Sequence, residues 1–284
     1  MKPAMFYEKR DDGAVKCLLC PHGCMIPMGK RGMCIARLNR EGKLYAESFG
    51  RITSISLDPI EKKPLLHFHP GSRILSLGRY GCNFRCSFCQ NHEISMREAQ
   101  WKFIAPEEVA ALSLQYAPKG NIGVAFTYNE PLIGYEYVRE CAALIRGQNQ
   151  RNVLVTNGFI NQKPLKALLP LFDAMNIDLK GFSSRFYKEL QGELDVVKKT
   201  IAAAAQACHV EVTALVIPGK NDGTEEMESL AKWLSRVDKT IPLHVTRFFP
   251  QYKMSDLMPT PLSTLRALAD IAKGYLQYVH LGNC

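Results

Sequence analysis

Three closely spaced cysteines carry the clearest chemical signal in this sequence. Cys82, Cys86 and Cys89 stand at C-x3-C-x2-C spacing, an aromatic residue precedes the last of them, and an apolar run ends shortly before them at Leu77. Iron–sulfur clusters are held by cysteine thiolates, usually four of them. Three thiolates in one loop can hold three irons of a cubane and leave the fourth iron open, and an open position is typical of catalytic metal sites. The spacing therefore favours a catalytic [4Fe–4S] centre.

Two other interpretations of this loop stay open. His92 follows Cys89 by three residues, so Cys82, Cys86, Cys89 and His92 could form a closed Cys3His zinc site. The protein would then be a non-catalytic zinc or iron–sulfur binding module with a structural or electron-transfer role. The cysteines could also be core residues that bind no metal. Both interpretations predict that no open iron is present.

A second group of cysteines lies near the N-terminus. Cys17, Cys20, Cys24 and Cys34 follow C-x2-C-x3-C-x9-C spacing, with glycines between them for tight turns. Four thiolates suit a tetrahedral zinc site or a second iron–sulfur cluster without an open iron, and His22 could replace one thiolate. The spacing does not distinguish zinc from iron. A knuckle that folds without metal is the alternative, although so short a segment has little core of its own.

The hydrophobic pattern predicts the elements that position these residues. From Arg73 onward, short apolar segments alternate with helical patterns. The expected strands are 74–77, 122–126, 152–156, 174–180, 209–217 and 243–248. The expected helices are 106–116, 132–147, 162–169, 195–207 and 224–237. Such alternation implies a parallel sheet with right-handed crossovers, and six units fit an α/β fold with an incomplete (β/α)6 barrel. A doubly wound open sheet is the alternative.

The chain is long enough for one large domain with an appendage. We expect residues 1–70 to form a cysteine-rich metal-binding segment with a connector, and residues 71–284 to form the partial barrel. Residues 43–57 are partly alternating, which is typical of strands, and residues 58–64 have the composition of a connector. Pro70 and Gly71 predict a turn before the first barrel strand.

Polar residues recur where the predicted strands end. Chemistry in α/β barrels takes place at the C-terminal ends of the strands. Asp178 and Lys180 alternate with apolar neighbours, so they share one face and, if buried, require pairing or a charged ligand. The other strand-end residues are Cys82, Asn129, Glu130, Thr156 and Asn157. Each has a structural explanation when taken alone, such as a helix cap, a turn or an ion pair. Their shared position, together with the cysteine loop, favours a single site.

Composition and charge limit the class of protein. A hydrophobic content of 46% with 22% charged residues is ordinary for a globular protein. No apolar run is long enough to cross a membrane and no signal peptide is apparent, so we expect a cytoplasmic protein whose cysteines bind metal rather than pair. The formal charge of +9 is spread along the chain. Spread charge favours a solvated surface, or a face for an acidic partner, over nucleic-acid binding.

Several motifs resemble the radical S-adenosylmethionine (SAM) superfamily. The loop from Cys82 to Asn91, Tyr128-Asn129-Glu130-Pro131, Asn157-Gly158 and Asp178-Leu179-Lys180 look like its glycyl-radical-activating branch, which includes the pyruvate formate-lyase activating enzymes. The stretches 17–22, 58–64, 69–72 and 247–254 narrow the resemblance. They are similar to the radical SAM member of the AmmeMemoRadiSam system, which occurs beside Memo-like and Ammecr-like proteins.

The resemblance implies an oxidoreductase that forms a 5′-deoxyadenosyl radical. It implies that Cys82, Cys86 and Cys89 bind the [4Fe–4S] cluster, whose open iron chelates the amino and carboxylate groups of SAM. The radical would abstract hydrogen from a substrate, and flavodoxin or ferredoxin would donate the electron. A protein could be the substrate, and a glycyl radical the product. The implied SAM-binding residues are Phe88, Asn129, Glu130, Thr156, Asn157, Asp178, Lys180, Ile217 and His244.

This sequence departs from the activating enzymes at one position. They often have a histidine two positions past the proline of the last-strand motif, where this chain has Tyr252. The difference weakens the inference of a glycyl-radical product. The remaining cysteines, Cys141, Cys208 and Cys284, lack metal-ligand spacing. We expect Cys141 and Cys208 to be core residues, and a thiol hydrogen donor is the alternative role for either.

Overall fold

Short strands precede a long alternation of strands and helices, and the computed structural model describes residues 1–284. The strands are β1 Lys2–Pro3, β2 Tyr7–Lys9, β3 Val15–Cys17, β4 Met25–Ile26, β5 Arg37–Arg40, β6 Lys43–Ala46, β7 Arg51–Ile52, β8 Ser54–Pro59, β9 Arg73–Gly78, β10 Lys102–Phe103, β11 Asn121–Phe126, β12 Arg151–Thr156, β13 Ala174–Asp178, β14 His209–Val216, β15 Leu243–Arg247 and β16 Val279–Gly282. The helices are α1 His92–Ser95, α2 Pro106–Gln115, α3 Tyr135–Gly147, α4 Gln162–Leu168, α5 Ser184–Glu189, α6 Leu194–Ala205, α7 Thr224–Asp238 and α8 Leu262–Lys273.

A single eight-stranded sheet forms the centre of the molecule. Its strand order is β16-β15-β14-β13-β12-β11-β9-β8, and all neighbours from β9 to β16 are parallel. Strand β8 runs antiparallel to β9 at one edge. The two edge strands do not pair with each other, so the barrel is incomplete. The predicted fold class, an incomplete α/β barrel, is therefore confirmed.

The six predicted barrel strands are all present, and their ends shift by one or two residues. The largest shift is in β13, which ends at Asp178, so Lys180 lies just beyond the strand. Two edge strands were not predicted in this sheet. Strand β16 follows α8 at the end of the chain, and β8 includes Asp58 and Pro59, which the sequence pattern had assigned to a connector. The prediction of a connector over residues 58–59 was therefore wrong.

The N-terminal segment folds into small antiparallel sheets that lie against the barrel. These sheets have the orders β1-β6-β5 and β2-β3-β4, and β7 pairs with β10. Val15 and Leu19 belong to the same buried apolar cluster as Tyr135 of α3 and Phe159 after β12. Strand β8, which precedes residue 70, is part of the main sheet. The division of the chain at residue 70 stays a prediction.

The loop between β8 and β9 is fixed at the beginning of the central strands. The buried carboxylate of Glu211 accepts hydrogen bonds from the backbone amides of Leu66 (3.1 Å) and His67 (2.8 Å) and from the rings of His209 and His244 (2.9 and 2.6 Å). Burial alone would raise the pKa of Glu211, but these donors lower it to about 2. One carboxylate therefore ties the loop to β14 and β15.

None of the helices combines the length and apolar content that a membrane crossing requires.

Candidate active site

The cysteine loop begins directly after β9, and Asn129 fixes its first turn. The Asn129 side-chain oxygen accepts from the backbone amide of Arg79 (3.0 Å), and its amide group donates to the backbone oxygen of Gly81 (3.0 Å). Gly81 has a φ of +92°, and a Cβ there would stand 2.3 Å from the Cys34 backbone oxygen. Only glycine fits this turn, because other residues are strained at positive φ and would also collide with that carbonyl.

Asn157, at the end of β12, holds the centre of the same loop. Its side-chain amide donates to the Asn83 side-chain oxygen (2.9 Å) and lies 3.8 Å from the Cys82 sulfur. Asn83 in turn donates to the backbone oxygen of Phe159 (2.8 Å). These bonds connect the first cysteine to two neighbouring strand ends, so the loop is positioned before any ligand binds.

Glu130 is buried at the junction of these strand ends. It accepts hydrogen bonds from the backbone amides of Leu132 (2.9 Å) and Asn157 (2.8 Å) and from the Thr156 hydroxyl (2.7 Å). Burial raises the pKa of Glu130 to about 7, although the three donors act in the opposite direction. The Glu130 carboxyl group therefore caps the turn at Pro131–Gly134 and also fixes the end of β12.

Burial also affects the thiols. It raises the pKa of Cys86 to about 12 and the pKa of Cys82 well above its usual value. Both groups are protonated at neutral pH when no metal is bound. Metal ions bind the thiolate form, so loading this loop with iron must release protons.

Asp178 and Lys180 form an ion pair at the end of β13. Their Oδ2 and Nζ atoms are 2.9 Å apart, and both side chains are partly accessible. Burial lowers the pKa of Lys180, but the Asp178 carboxylate outweighs it, so the net change is upward. The pair presents one negative and one positive group side by side, which suits a ligand that carries both charges.

One cavity brings most of the predicted residues together. It has a volume of about 370 Å³, within the range of ligand sites, which is roughly 300–1,000 Å³. The predicted residues that line it are Cys82, Cys86, Phe88, Cys89, Asn129, Glu130, Thr156, Asn157, Asp178 and Lys180. The chemistry of three thiols beside this space fits a cluster with an open iron and a ligand of the size of SAM.

Two predicted residues do not line this cavity. Ile217 is fully buried, and its backbone amide donates to the Asn221 side-chain oxygen (2.7 Å). His244 lies near the start of β15, at the opposite end from the cysteine loop, where it is bonded to Glu211. His92 also lies outside the cavity lining, and its ring stacks on Tyr252 with centroids 4.4 Å apart.

The far wall of the cavity contains residues for which the sequence analysis predicted no role. Lys63 and the Tyr128 hydroxyl both donate to Asp58 Oδ2, at 2.7 and 2.6 Å, and the pKa of Asp58 is lowered because these bonds outweigh burial. The remaining wall residues are Lys62, Pro64, Thr213, Leu215, Thr246 and Asn283. The acid and two lysines of residues 58–64 were the available signal, but a segment interpreted as a connector gave no reason to place them here.

The N-terminal cysteines surround a second, much smaller space. Cys17, Cys20, Cys24 and Cys34 all line a cavity of about 10 Å³, together with His22. His22 Nε2 donates to the backbone oxygen of Asn83 (2.7 Å), which lies in the other cysteine loop. No three His, Cys, Asp or Glu side chains of the protein converge closely enough to hold one metal ion.

The whole chain is similar to known proteins. Residues 79–234 match the family model described as the radical SAM superfamily. An uncharacterized protein of Methanocaldococcus jannaschii is 40% identical over 289 residues, which cover 100% of this chain and 85% of that protein. The chain belongs to the radical SAM superfamily. Radical SAM proteins use a [4Fe–4S] cluster and SAM, and the cavity beside the cysteine loop has a suitable donor set and volume for both.

Solved structures of radical SAM proteins share the fold. A radical SAM methyltransferase from Sphaerobacter thermophilus has a TM-score of 0.60 at 14% identity, and the match covers 75% of this chain and 67% of that one. SuiB from Streptococcus suis, bound to S-adenosylmethionine, has a TM-score of 0.56 at 16% identity over 74% of this chain and 52% of its own. A domain of pyruvate-formate lyase-activating enzyme from Bacteroides vulgatus has a TM-score of 0.50 at 16% identity over 57% and 99%.

Proposed function

We propose that Cys82, Cys86 and Cys89 each bind one iron of the [4Fe–4S] cluster, and that the open fourth iron binds SAM. The single observation that carries this proposal is the shared cavity, in which three thiols face the polar strand ends. When bound, the reduced cluster supplies the electron that cleaves SAM to methionine and a 5′-deoxyadenosyl radical, which abstracts hydrogen from a substrate.

The residues of this chain have separate tasks in that reaction. Asn129, Glu130 and Asn157 position the cysteine loop, because their polar groups are bonded to the backbone and side chains around it. Asp178 accepts hydrogen bonds from the amino group or ribose of SAM, and Lys180 donates to its carboxylate. A ligand with both charges can be held here because the protein already presents a matched pair.

The far wall of the cavity is the proposed position of the hydrogen-donating substrate. Lys63 and Tyr128 are bonded to Asp58 there, and Thr213 and Thr246 complete a polar lining. Hydrogen abstraction requires that substrate and SAM are held in contact with water excluded. A single cavity whose two sides are lined by different residues supplies that arrangement.

We also propose that the protein is the radical SAM member of the AmmeMemoRadiSam system. The support is the group of motifs at 17–22, 58–64, 69–72 and 247–254. Its electron donor would be a flavodoxin or ferredoxin, and Memo-like and Ammecr-like proteins would be partners. Activation of a protein through a glycyl radical is the second candidate, supported by Tyr128-Asn129-Glu130-Pro131 and the cysteine loop. Tyr252, at the position of the usual histidine, speaks against it.

The radical SAM activity is tested by measuring 5′-deoxyadenosine. The protein is reconstituted anaerobically with iron and sulfide, reduced with dithionite and incubated with SAM. We expect the wild type to form 5′-deoxyadenosine and Cys86→Ala to form none, because two thiolates do not hold the cubane. Cys208→Ala is the matched control, since Cys208 lies away from the cavity, and it should keep full activity.

SAM cleavage by Cys86→Ala at the wild-type rate would contradict the assigned ligands. Product identity separates the two finer candidates. A glycyl radical detected by electron paramagnetic resonance (EPR) on an added protein partner supports an activating enzyme. A rise in 5′-deoxyadenosine with Memo-like or Ammecr-like protein, without such a radical, supports the system-specific reaction.

A further inference from the structure

The N-terminal cysteines and a buried arginine surround one enclosed space. Cys17, Cys20, Cys24 and Cys34 all line it, and the Arg37 guanidinium lines it as well. Arg37 is 1% exposed, and its Nε and Nη1 atoms have no hydrogen-bond partner within the protein. A buried donor without an acceptor is costly, so this arrangement predicts that something with negative charge occupies the space.

The charge balance of Arg37 supports an anionic occupant. Its Nη2 atom donates to Glu136 (3.0 Å) and to the backbone oxygen of Met5, which accounts for one side of the guanidinium. The two remaining nitrogens face the sulfurs. A cluster or ion held by four thiolates carries net negative charge, because the thiolates outweigh the metal core. Hydrogen bonds from a guanidinium to such sulfurs would complete the partners of Arg37.

The size of the space distinguishes the possible occupants. The cavity of about 10 Å³ accepts a sphere the size of a water molecule. A sulfur in contact with such a sphere stands about 3.2 Å from its centre, whereas a sulfur bound to zinc stands about 2.3 Å from the ion. In a cubane each thiolate binds a separate iron at a separate corner, so the sulfurs stand farther from the centre. The space is therefore wider than a four-thiolate zinc site requires.

We propose that Cys17, Cys20, Cys24 and Cys34 bind a second [4Fe–4S] cluster, which Arg37 neutralises in part. Its four irons all have a thiolate ligand, so this cluster has no open position and does not bind SAM. The site lies outside residues 79–234, which match the superfamily model, and the inference rests on the geometry of this segment alone.

The second cluster adjoins the cysteine loop of the active site. His22 Nε2 donates to the Asn83 backbone oxygen (2.7 Å), and the Arg85 guanidinium donates to the backbone oxygen of Met33, next to Cys34. The Gly81 turn also lies against the Cys34 carbonyl. The two cysteine groups are therefore connected through direct hydrogen bonds and backbone contact.

Two sets of variants separate the clusters. Cys82→Ala/Cys86→Ala/Cys89→Ala removes the thiols of the active-site loop, and Cys17→Ala/Cys20→Ala removes half of the N-terminal ligands. Each protein is purified anaerobically and reconstituted with iron and sulfide. Iron, acid-labile sulfide and zinc are then measured per folded chain, with circular dichroism as the folding control. Cys208→Ala is the matched cysteine control.

We expect about eight irons per chain in the wild type and in Cys208→Ala, and about four in each of the other variants. The dithionite-reduced triple variant should show an EPR signal that SAM leaves unchanged, because every iron is ligated. The Cys17→Ala/Cys20→Ala variant should show a signal that SAM alters. His22→Gln should keep about eight irons, since the proposal assigns no metal bond to that ring.

Zinc, or no metal, in a folded triple variant would overturn the proposal. If that variant does not fold, the wild type decides, since about four irons per chain would equally exclude a second cluster. Loss of about half of the iron from His22→Gln would refute the four-thiolate ligand set. An unaltered signal on addition of SAM to Cys17→Ala/Cys20→Ala would instead count against the proposed SAM site, which is a separate failure.

Discussion

At the scale of single residues, polar side chains near the cysteines act mainly as positioning groups. Asn129 is bonded to the backbone on both sides of the loop turn, and Asn157 is bonded to Asn83. Glu130 has three donors from the protein. The ion pair of Asp178 and Lys180 is different, because both groups are accessible from the cavity and bonded mainly to each other.

This difference leads to a prediction for Asp178→Asn. Removing the carboxylate charge should weaken SAM binding at least about ten-fold, or roughly 1.4 kcal/mol, with the iron content unchanged. The physical reason is that Asp178 would bind the cationic or hydroxyl groups of SAM. Calorimetric titration of the reconstituted protein with SAM measures the affinity.

Asp195→Asn is the control for that measurement, because Asp195 is an exposed residue at the start of α6. It should bind SAM as the wild type does. Unchanged affinity in Asp178→Asn would remove Asp178 from the proposed SAM site.

The sequence predicted which residues meet but not what each of them does. Residues 129, 130, 156, 157, 178 and 180 were grouped because parallel strands end at one edge, and the cavity contains all of them. A polar residue at a strand end can bind a ligand or a neighbouring loop, and the residue type is the same in both cases. His244 could have been excluded, because it lies near the beginning of its strand and strand beginnings face the other end of the barrel.

At the scale of elements, the long apolar strands were predictable and the short ones were not. The strands β9 to β15 in the main sheet are almost fully buried, so their composition is strongly apolar. Strand β8 is half exposed, lacks regular alternation and ends in proline. Helix α5 has six residues and β16 has four, too few for a clear period. Tertiary pairing, rather than local pattern, determines these elements.

The contact between the end of β9 and the turn after β11 leads to a prediction for Gly78→Ala. A Cβ at Gly78 would stand 2.8 Å from Cδ2 of Tyr128. Tyr128 has a φ of +71° and its hydroxyl is bonded to Asp58, so it has little freedom to move. We expect a loss of about 1–3 kcal/mol in the free energy of unfolding.

Gly147→Ala is the matched control in urea unfolding. Gly147 is the last residue of α3, and a Cβ there has no neighbour within 4 Å. Alanine should be neutral or stabilising at this helical position. Equal stability of Gly78→Ala and Gly147→Ala would show that Tyr128 yields without cost.

At the scale of the whole molecule, Glu211 connects the loop before β9 to the middle of the sheet. Its pKa of about 2 lies below the ordinary 4.5, so the folded protein favours the charged carboxylate. The stability from this group is present above pH 4.5 and is lost as the pH falls toward 2. Glu211→Gln should therefore cost about 3 kcal/mol at pH 7, and the difference from the wild type should shrink between pH 4.5 and 3.

Urea unfolding at a series of pH values checks this expectation. Glu8→Gln, at an exposed residue of β2, should follow the wild type at every pH. A loss in Glu211→Gln that stays constant down to pH 3 would mean that its charge does not stabilise the loop.

Strand β8 has a further consequence for the barrel as a whole. It covers the edge of β9 over six paired residues, from Ser54 opposite Gly78 to Pro59 opposite Arg73. A barrel shortened to residues 71–284 would leave that edge uncovered, with a row of free amide and carbonyl groups. Uncovered edges of this kind recruit strands from other copies of the chain. The segment ahead of the barrel therefore also protects the protein from aggregation.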